Sequence, residues 1–535
     1  MFRQPRLALA GLALATGIAA APCAWAATPR DQLVVAWNID AISTFDPAQI
    51  AEVVTSEIFG NTCDSLAAFD PADESKVIPA LAESWDVSED GLRITFRLRD
   101  KLRFADGRAA SAADLAWSMQ RVVKLNFGNA AQLTDYGFTR DTVDSRITAP
   151  DDRTLVLALD KPYPPGLILQ AVAANRVSAL LDRKTLSANE NNGDMGNRYL
   201  TSRTECVGPY RLRQWNSGEV VVLEANKDHW GEVPKLRRII IRHVAEAGTQ
   251  RLLLEKGDID VARNLTPEDL RALEGAKGVR LERTRKPTLF YWGFNSADPV
   301  FAEEKVRLAM RYLVDYDGLA KSVMAYDGVP RASFVPLGSF GALDEKEGQP
   351  FSLDIARARA LLAEAGRPEG FETVMILGSH PYASAIAQHI QANAAQAGVR
   401  IRLEQMANAQ LFARHRGREF QSAMLGWGAG MPDAHANASR LIFNPDNRVE
   451  AKLTQFPSWR AAFQDAEANK QVEAALMERD EAKRAAIYAG LQRDMMQRGP
   501  AAFLFQTVYV AGVRDNVRNW TWNGFATYFD RMSKE

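Results

Sequence analysis

Six histidines are the first residues to test for chemistry, because two of them at helical spacing is how many chains hold a catalytic metal. His229, His243, His380, His389, His415 and His435 form no His-Glu-x-x-His pattern, so no metal site is expected. Gly426, Gly428 and Gly430 come nearest to a dinucleotide fingerprint, but the third spacing is wrong and Pro432 follows, so no helix amino end faces a pyrophosphate. A phosphate loop and a Gly-x-Ser-x-Gly elbow are both missing. No catalytic residue and no cofactor are expected.

The residues suit recognition better. Aromatic rings give large apolar contact for little entropy, and glycines let backbone amides approach a ligand. Both occur together in Trp427-Gly428-Ala429-Gly430-Met431-Pro432-Asp433, and aromatics stand near turns at Trp37-Asn38 and at His380-Pro381-Tyr382. The candidate ligand residues are therefore Trp37, Asn38, His380, Tyr382, Trp427, Gly430, Met431 and Asp433. Each has a plainer alternative. A tryptophan at a strand end serves a core, Asn38 closes a turn, His380 before a proline is extended and points either way, and Asp433 caps a following helix.

These residues need elements to position them. Leu92 to Arg99 alternates apolar with basic and hydroxyl side chains, the pattern of a half-buried strand. Gln32 to Trp37, Leu155 to Leu159, Glu219 to Leu223, Arg237 to Val244 and Thr288 to Phe294 read as further strands. Ser111 with Asp114 and Thr266 with Asp269 predict capped helix starts, and Asp354 to Gly366 predicts a helix with an acidic entry and a glycine exit. Residues 371 to 427 alternate strand, helix, strand, short helix and strand, which predicts parallel strands covered by helices. Open sheets of that kind bind ligands beyond the carboxyl ends of their strands, where Tyr382 and the Trp427 loop fall. The charged run Glu478 to Arg484 reads as a solvated helix face.

At 535 residues the chain exceeds what one core supports. Residues 1 to 26 have the form of an export signal: Arg3 and Arg6, an apolar run from Leu7 to Ala21, then Ala24-Trp25-Ala26. Pro22 before Cys23 argues against lipidation. Losing two arginines takes the net charge from −1 to −3, a balance that excludes nucleic acid as the expected partner. The remaining cysteines, Cys63 and Cys206, would sit in an oxidising compartment, where a disulfide is expected over two buried free thiols.

In Ala80-Leu81-Ala82-Glu83-Ser84-Trp85, Asp90-Gly91, Thr95 to Arg99, Phe104-Ala105-Asp106-Gly107 and Ala113-Asp114-Leu115, the chain resembles the peptide/nickel/opine class of periplasmic binding proteins, solute-binding family 5. Gly208-Pro209-Tyr210, Phe294-Asn295, Val306 to Ala309, Tyr326-Asp327-Gly328, Gly426-Trp427 and Leu491-Gln492 extend the likeness over the whole mature length. The resemblance implies an α/β, two-lobed, type II (cluster C-like) periplasmic binding protein with an extra subdomain inserted in lobe I. Lobe I would comprise residues 28–75, 200–290 and 506–535, the insert 76–199 and lobe II 291–505, with crossings near Pro287 to Tyr291 and Phe503 to Thr507. It further implies a monomer that hands a small peptide or peptide-like solute to an inner-membrane ABC permease. Peptide-binding members carry an Asp three residues after the loop tryptophan and dipeptide binders an Arg before Pro-Tyr, whereas here those positions hold Gly430 and His380. Either Asp433 and His380 take over the amine and carboxylate, or the cargo is a non-peptide solute such as an opine or an amino-acid conjugate. A periplasmic hydrolase on an α/β scaffold is the reading from another class.

Overall fold

Where apolar and polar side chains alternate, the chain is extended. The computed structural model describes residues 28–174, 177–379 and 382–535. The expected export signal and His380 lie outside the described residues.

One large mixed sheet carries the molecule. Its strands run, in spatial order, Val399–Gln405, Phe371–Leu377, Ser422–Gly428, Val279–Phe294, Ala501–Arg514, Val261–Ala262, Gln32–Trp37, Arg238–His243, Val220–Ala225 and Tyr210–Asn216, with Gly328–Pro330 also paired to Ala501–Arg514. The first three belong to the α/β segment expected at 371–427, and Phe371–Leu377 pairs parallel with both of its neighbours. Leu33, Val35, Ile239 and Ile241 build the core on one side of the two central strands, and Trp292, Phe294, Ile386 and Ile390 build a separate core on the other. The fold is thus two-lobed, the lobes sharing a sheet but not a core.

The central strands Val279–Phe294 and Ala501–Arg514 reach across both halves, and the first is 16 residues long. Only its end, Thr288 to Phe294, was expected from the sequence. The earlier stretch, Arg280 to Lys286, carries charged side chains on both faces, with Arg283 and Arg285 exposed and the rest half-buried, so it lacks an apolar alternation, and Pro287 lacks the N–H that an uninterrupted ladder needs. Pairing is regular from Val279↔Arg514 to Arg285↔Val508, breaks, and resumes at Leu289↔Gln506. In the gap, Gln506 Nε2 donates to the Lys286 carbonyl at 2.9 Å and the Ala429 N–H donates to that of Pro287 at 2.9 Å. The irregularity leaves neither carbonyl unsatisfied.

A second sheet, in the order Ala82–Val87, Arg93–Leu98, Thr154–Ala158 and Ile147–Asp151, has its own core with the helix Ala112–Leu125. That helix starts at the expected capping box, Ser111 with Asp114, and buries Leu115, Met119 and Val122 at helical spacing. Each such side chain contributes about 1.5–3 kcal/mol when fully buried. The box at Thr266 and Asp269 and the Asp354 cap also form.

Cys63, at the end of helix Val53–Thr62, is bonded to Cys206, with Cα atoms 5.4 Å apart. The approach depends on Gly208, where an added Cβ would lie 2.1 Å from the Thr62 carbonyl oxygen. One expectation fails in part. Residues 479–483 are exposed, as a solvated run should be, but Glu478 to Arg484 is not one helix face: Ala466–Met477 ends, Asp480 caps Glu481–Arg498, and Arg484 turns inward. Charge counting missed this because the counter-ion, Asp433, lies 51 residues away.

Candidate functional site

The loop after strand Ser422–Gly428 is pinned at both ends. At its start Trp427 Nε1 donates to Asn437 Oδ1 at 3.1 Å, and the Ala429 N–H reaches Pro287 as described. At its end Phe340 N–H donates to the Pro432 carbonyl at 2.8 Å, and Asp433 caps the short helix Ala434–Asn437 by accepting from the His435 N–H at 2.8 Å. Between those anchors Gly428 and Gly430 form part of two cavities.

The first cavity, about 270 Å³, lies where the halves of the molecule meet. One half contributes Glu52, Val53 and Ser56 at the start of helix Val53–Thr62, together with Phe69, Tyr509, Phe525 and Tyr528; the other contributes Gly428 to Gly430, and the gap in the central ladder contributes Lys286, Pro287 and Thr288. Its charged lining residues are Glu52 and Lys286. The Lys286 ammonium lies 3.4 Å from the centre of the Tyr509 ring, a cation–π contact. Among the described residues it has no ion pair or hydrogen bond. Burial, reinforced by the Arg263 charge, lowers its pKa to about 8, against the opposing pull of Glu57 and Asp327.

The second cavity, about 340 Å³, lies between the part of the chain packed with the four-stranded sheet and the far half of the large sheet. Gln132, Asp135 and Tyr136 face Trp427, Met431, His435, Arg440 and Phe456 across it. Arg440 and Asp135 form an ion pair that bridges the two sides. His435 Nδ1 is hydrogen-bonded with the Tyr488 hydroxyl at 2.9 Å, and burial lowers the histidine's pKa to about 4, so it is neutral at physiological pH.

The candidate residues from the sequence divide between cavity and support. Trp427, Gly430 and Met431 come together on the second cavity, and Gly430 also lines the first. Trp37 is in the core, its ring stacked 3.9 Å under the Arg263 guanidinium, which is itself paired with Glu57 at 3.0 Å. Asn38 makes a turn, accepting from the Asp40 N–H at 3.0 Å. Tyr382 packs edge-on against Phe290 at 5.0 Å. Asp433 gives both carboxylate oxygens to Arg484, at 2.7 and 2.8 Å, with both side chains buried. Lys286, Ser56, Thr288 and Tyr509 were not singled out from the sequence. The only signal was that Lys286 and Thr288 flank Pro287, at an expected crossing between lobes.

Among the described residues no group of three or more His, Cys, Asp or Glu is placed to hold a metal ion, and no helix is long and apolar enough to cross a membrane. Two lobes on a shared sheet, with a cavity lined from both and glycines at its wall, define a solute-binding protein. The chain belongs to the bacterial extracellular solute-binding proteins, family 5, whose profile matches residues 76–448. It is 26% identical over 522 residues, 97% of this chain and 96% of the relative, to the probable D,D-dipeptide-binding periplasmic protein of Escherichia coli K12. To the glutathione-binding protein of Salmonella typhimurium it is 27% identical over 505 residues, 92% of this chain and 91% of the relative. Among solved structures, HbpA2 from Haemophilus parasuis superposes with a TM-score of 0.80 at 24% identity, covering 94% of this chain and all of that one. The dipeptide-binding protein of Pseudoalteromonas in complex with Met-Leu gives 0.73 at 21% identity, covering 94% of this chain and 100% of that one. These likenesses establish the fold, and the family establishes a substrate-binding role.

Proposed function

We propose that the chain is the periplasmic capture subunit of an ABC importer, exported with loss of residues 1–26, that closes as a monomer on a small peptide or peptide-like solute and delivers it to an inner-membrane permease. No bond of the solute is made or broken. The observation that carries this reading is the cavity whose wall is contributed by both halves of the molecule and by the gap between Arg285 and Leu289 in the central ladder. A solute there touches both lobes, and only preferential binding to the closed form shifts a population toward it. The proposed hinge is the pair of crossings at Pro287 to Tyr291 and Phe503 to Thr507. Relatives named for D,D-dipeptide and glutathione binding support a peptide-like cargo. Asp433, held by Arg484, is proposed to shape the loop rather than to meet an amine.

Mass spectrometry of solute released from protein purified from its native host, paired with small-angle scattering before and after the solute is restored, tests the proposal. The expected result is a peptide or peptide conjugate and a smaller radius of gyration on binding. Turnover of the solute, or a radius that never changes, would overturn it.

A further inference from the structure

We propose that Lys286 holds a carboxylate of the captured solute, at the point where strand Val279–Phe294 leaves its regular pairing. This rests on the reading of the chain as a capture protein for peptide-like solutes and assigns the anion-binding end of the same cavity.

The first ground is the isolation of the cation. The buried arginines are all matched: Arg263 pairs with Glu57, Arg484 with Asp433 and Arg121 with Asp46, while Arg307, Arg311 and Arg331 donate to backbone carbonyls. Lys286 is half-buried, lines the cavity and has no counter-ion among the described residues, its recorded contact being the face of Tyr509. An ammonium withdrawn from water without a partner retains an unmet desolvation cost, and an anionic group reaching it removes that cost. A carboxylate also forms a charge-assisted hydrogen bond with an ammonium, stronger than a neutral one.

The second ground is the surroundings. Ser56, Thr288 and Tyr509 line the same cavity, and their hydroxyls make no hydrogen bond with a described residue, which leaves three donors near one cation. Glu52 is the other charged lining residue; its oxygens accept from the Ser43 and Thr55 hydroxyls but enter no ion pair. The cavity therefore offers one uncompensated charge of each sign, the complement of a zwitterion. The groups that face Lys286 from neighbouring elements are Arg263, Glu57, Asp327 and Tyr509. Arg263 opposes the lysine's charge, Glu57 is already paired, and Asp327 attracts the lysine without forming an ion pair with it, so no described side chain occupies the ammonium and the site's positive end remains free for a ligand.

Calorimetric titration of the wild-type protein, Lys286→Met and Lys286→Arg with the dipeptides Met-Leu and D-alanyl-D-alanine, each as free acid and as C-terminal amide, tests this. Wild type should bind an acid at least tenfold more tightly than its amide. Lys286→Met should erase that preference without lowering the unfolding temperature, and Lys286→Arg should restore much of it. Equal affinity of wild type for acid and amide, or an unchanged preference in Lys286→Met, overturns the assignment. The solute that co-purifies with each variant separates the two proposals. A non-peptide carboxylic acid kept by wild type and lost by Lys286→Met would overturn the peptide reading and leave Lys286 standing; a solute without an acidic group would overturn the Lys286 assignment; and no co-purified solute with no dipeptide binding would count against both.

Discussion

Replacing Arg484 by methionine removes one half of a buried ion pair and leaves its packing volume nearly intact. Asp433 then retains a charge with 1% side-chain exposure, having lost two hydrogen bonds of 2.7 and 2.8 Å, while it still caps Ala434–Asn437. Removing one partner of such a pair typically costs about 3–5 kcal/mol, since the survivor stays uncompensated. For a cooperative unit of roughly 150–250 residues each kcal/mol lowers the midpoint by about 2–4 °C, so the transition of the lobe that holds residues 433 and 484 should fall by roughly 6–20 °C. Differential scanning calorimetry resolves that transition. The double variant Asp433→Asn/Arg484→Met should recover much of the loss, because an uncharged pair carries no uncompensated charge. Measured well below the transition, solute affinity of Arg484→Met should change by less than tenfold. An Asp433→Asn variant with wild-type melting but hundredfold weaker binding would refute this reasoning, because the carboxylate would then be serving the solute and not the arginine.

Three further outcomes follow from the same physical rules. Dipeptide affinity should fall above pH 8 more steeply in wild type than in Lys286→Arg, because the peptide's own amino group titrates at about 8 in both cases, whereas the lysine whose pKa burial lowers to about 8 loses its proton only in wild type; calorimetry across pH checks the difference. Cys63→Ser/Cys206→Ser frees a loop with a sequence separation of 143, so the chain-entropy model predicts a loss of up to about 5 kcal/mol in denaturant unfolding, with solute binding largely unaffected. Glu74 is held with a pKa of about 7, raised by burial against the opposing hydrogen bond from the Gly524 N–H. Its carboxyl ionises near 4.3 in the unfolded chain, so native stability is lost as pH rises from about 4 to 7; Glu74→Gln should therefore be more stable than wild type at pH 8, by on the order of 1–3 kcal/mol, and unchanged at pH 4 in urea melts.

The elements were legible where one face of each is buried. Gln32–Trp37, Arg93–Leu98 and the helix at Ala112 announce themselves through period and cap, because those signals lie within a few residues of one another. Trp427 and the glycines beside it were legible for the same reason, a ring and two flexible residues next to a strand end. What escaped depends on distant partners. Nothing near Lys286 in the chain says that Tyr509 will lie under its ammonium, and nothing near Asp433 says that Arg484 will occupy its oxygens. Trp37 shows the converse: its neighbours suit a ligand wall, but Arg263, more than two hundred residues on, draws it into a stack. Residue type identifies a group able to meet a solute, while its availability is decided by long-range pairing.

The gap between Arg285 and Leu289 has a mechanical consequence. Lys286, Pro287 and Thr288 interrupt the ribbon and also line the cavity, so, with the hinge proposed at this crossing, whatever fills it pushes or pulls at the fulcrum itself and not at the end of an arm. On that proposal a small change of angle sweeps the rims of the lobes through a wide arc, and a few atoms of cargo gear up into a change of outline that the proposed permease reads.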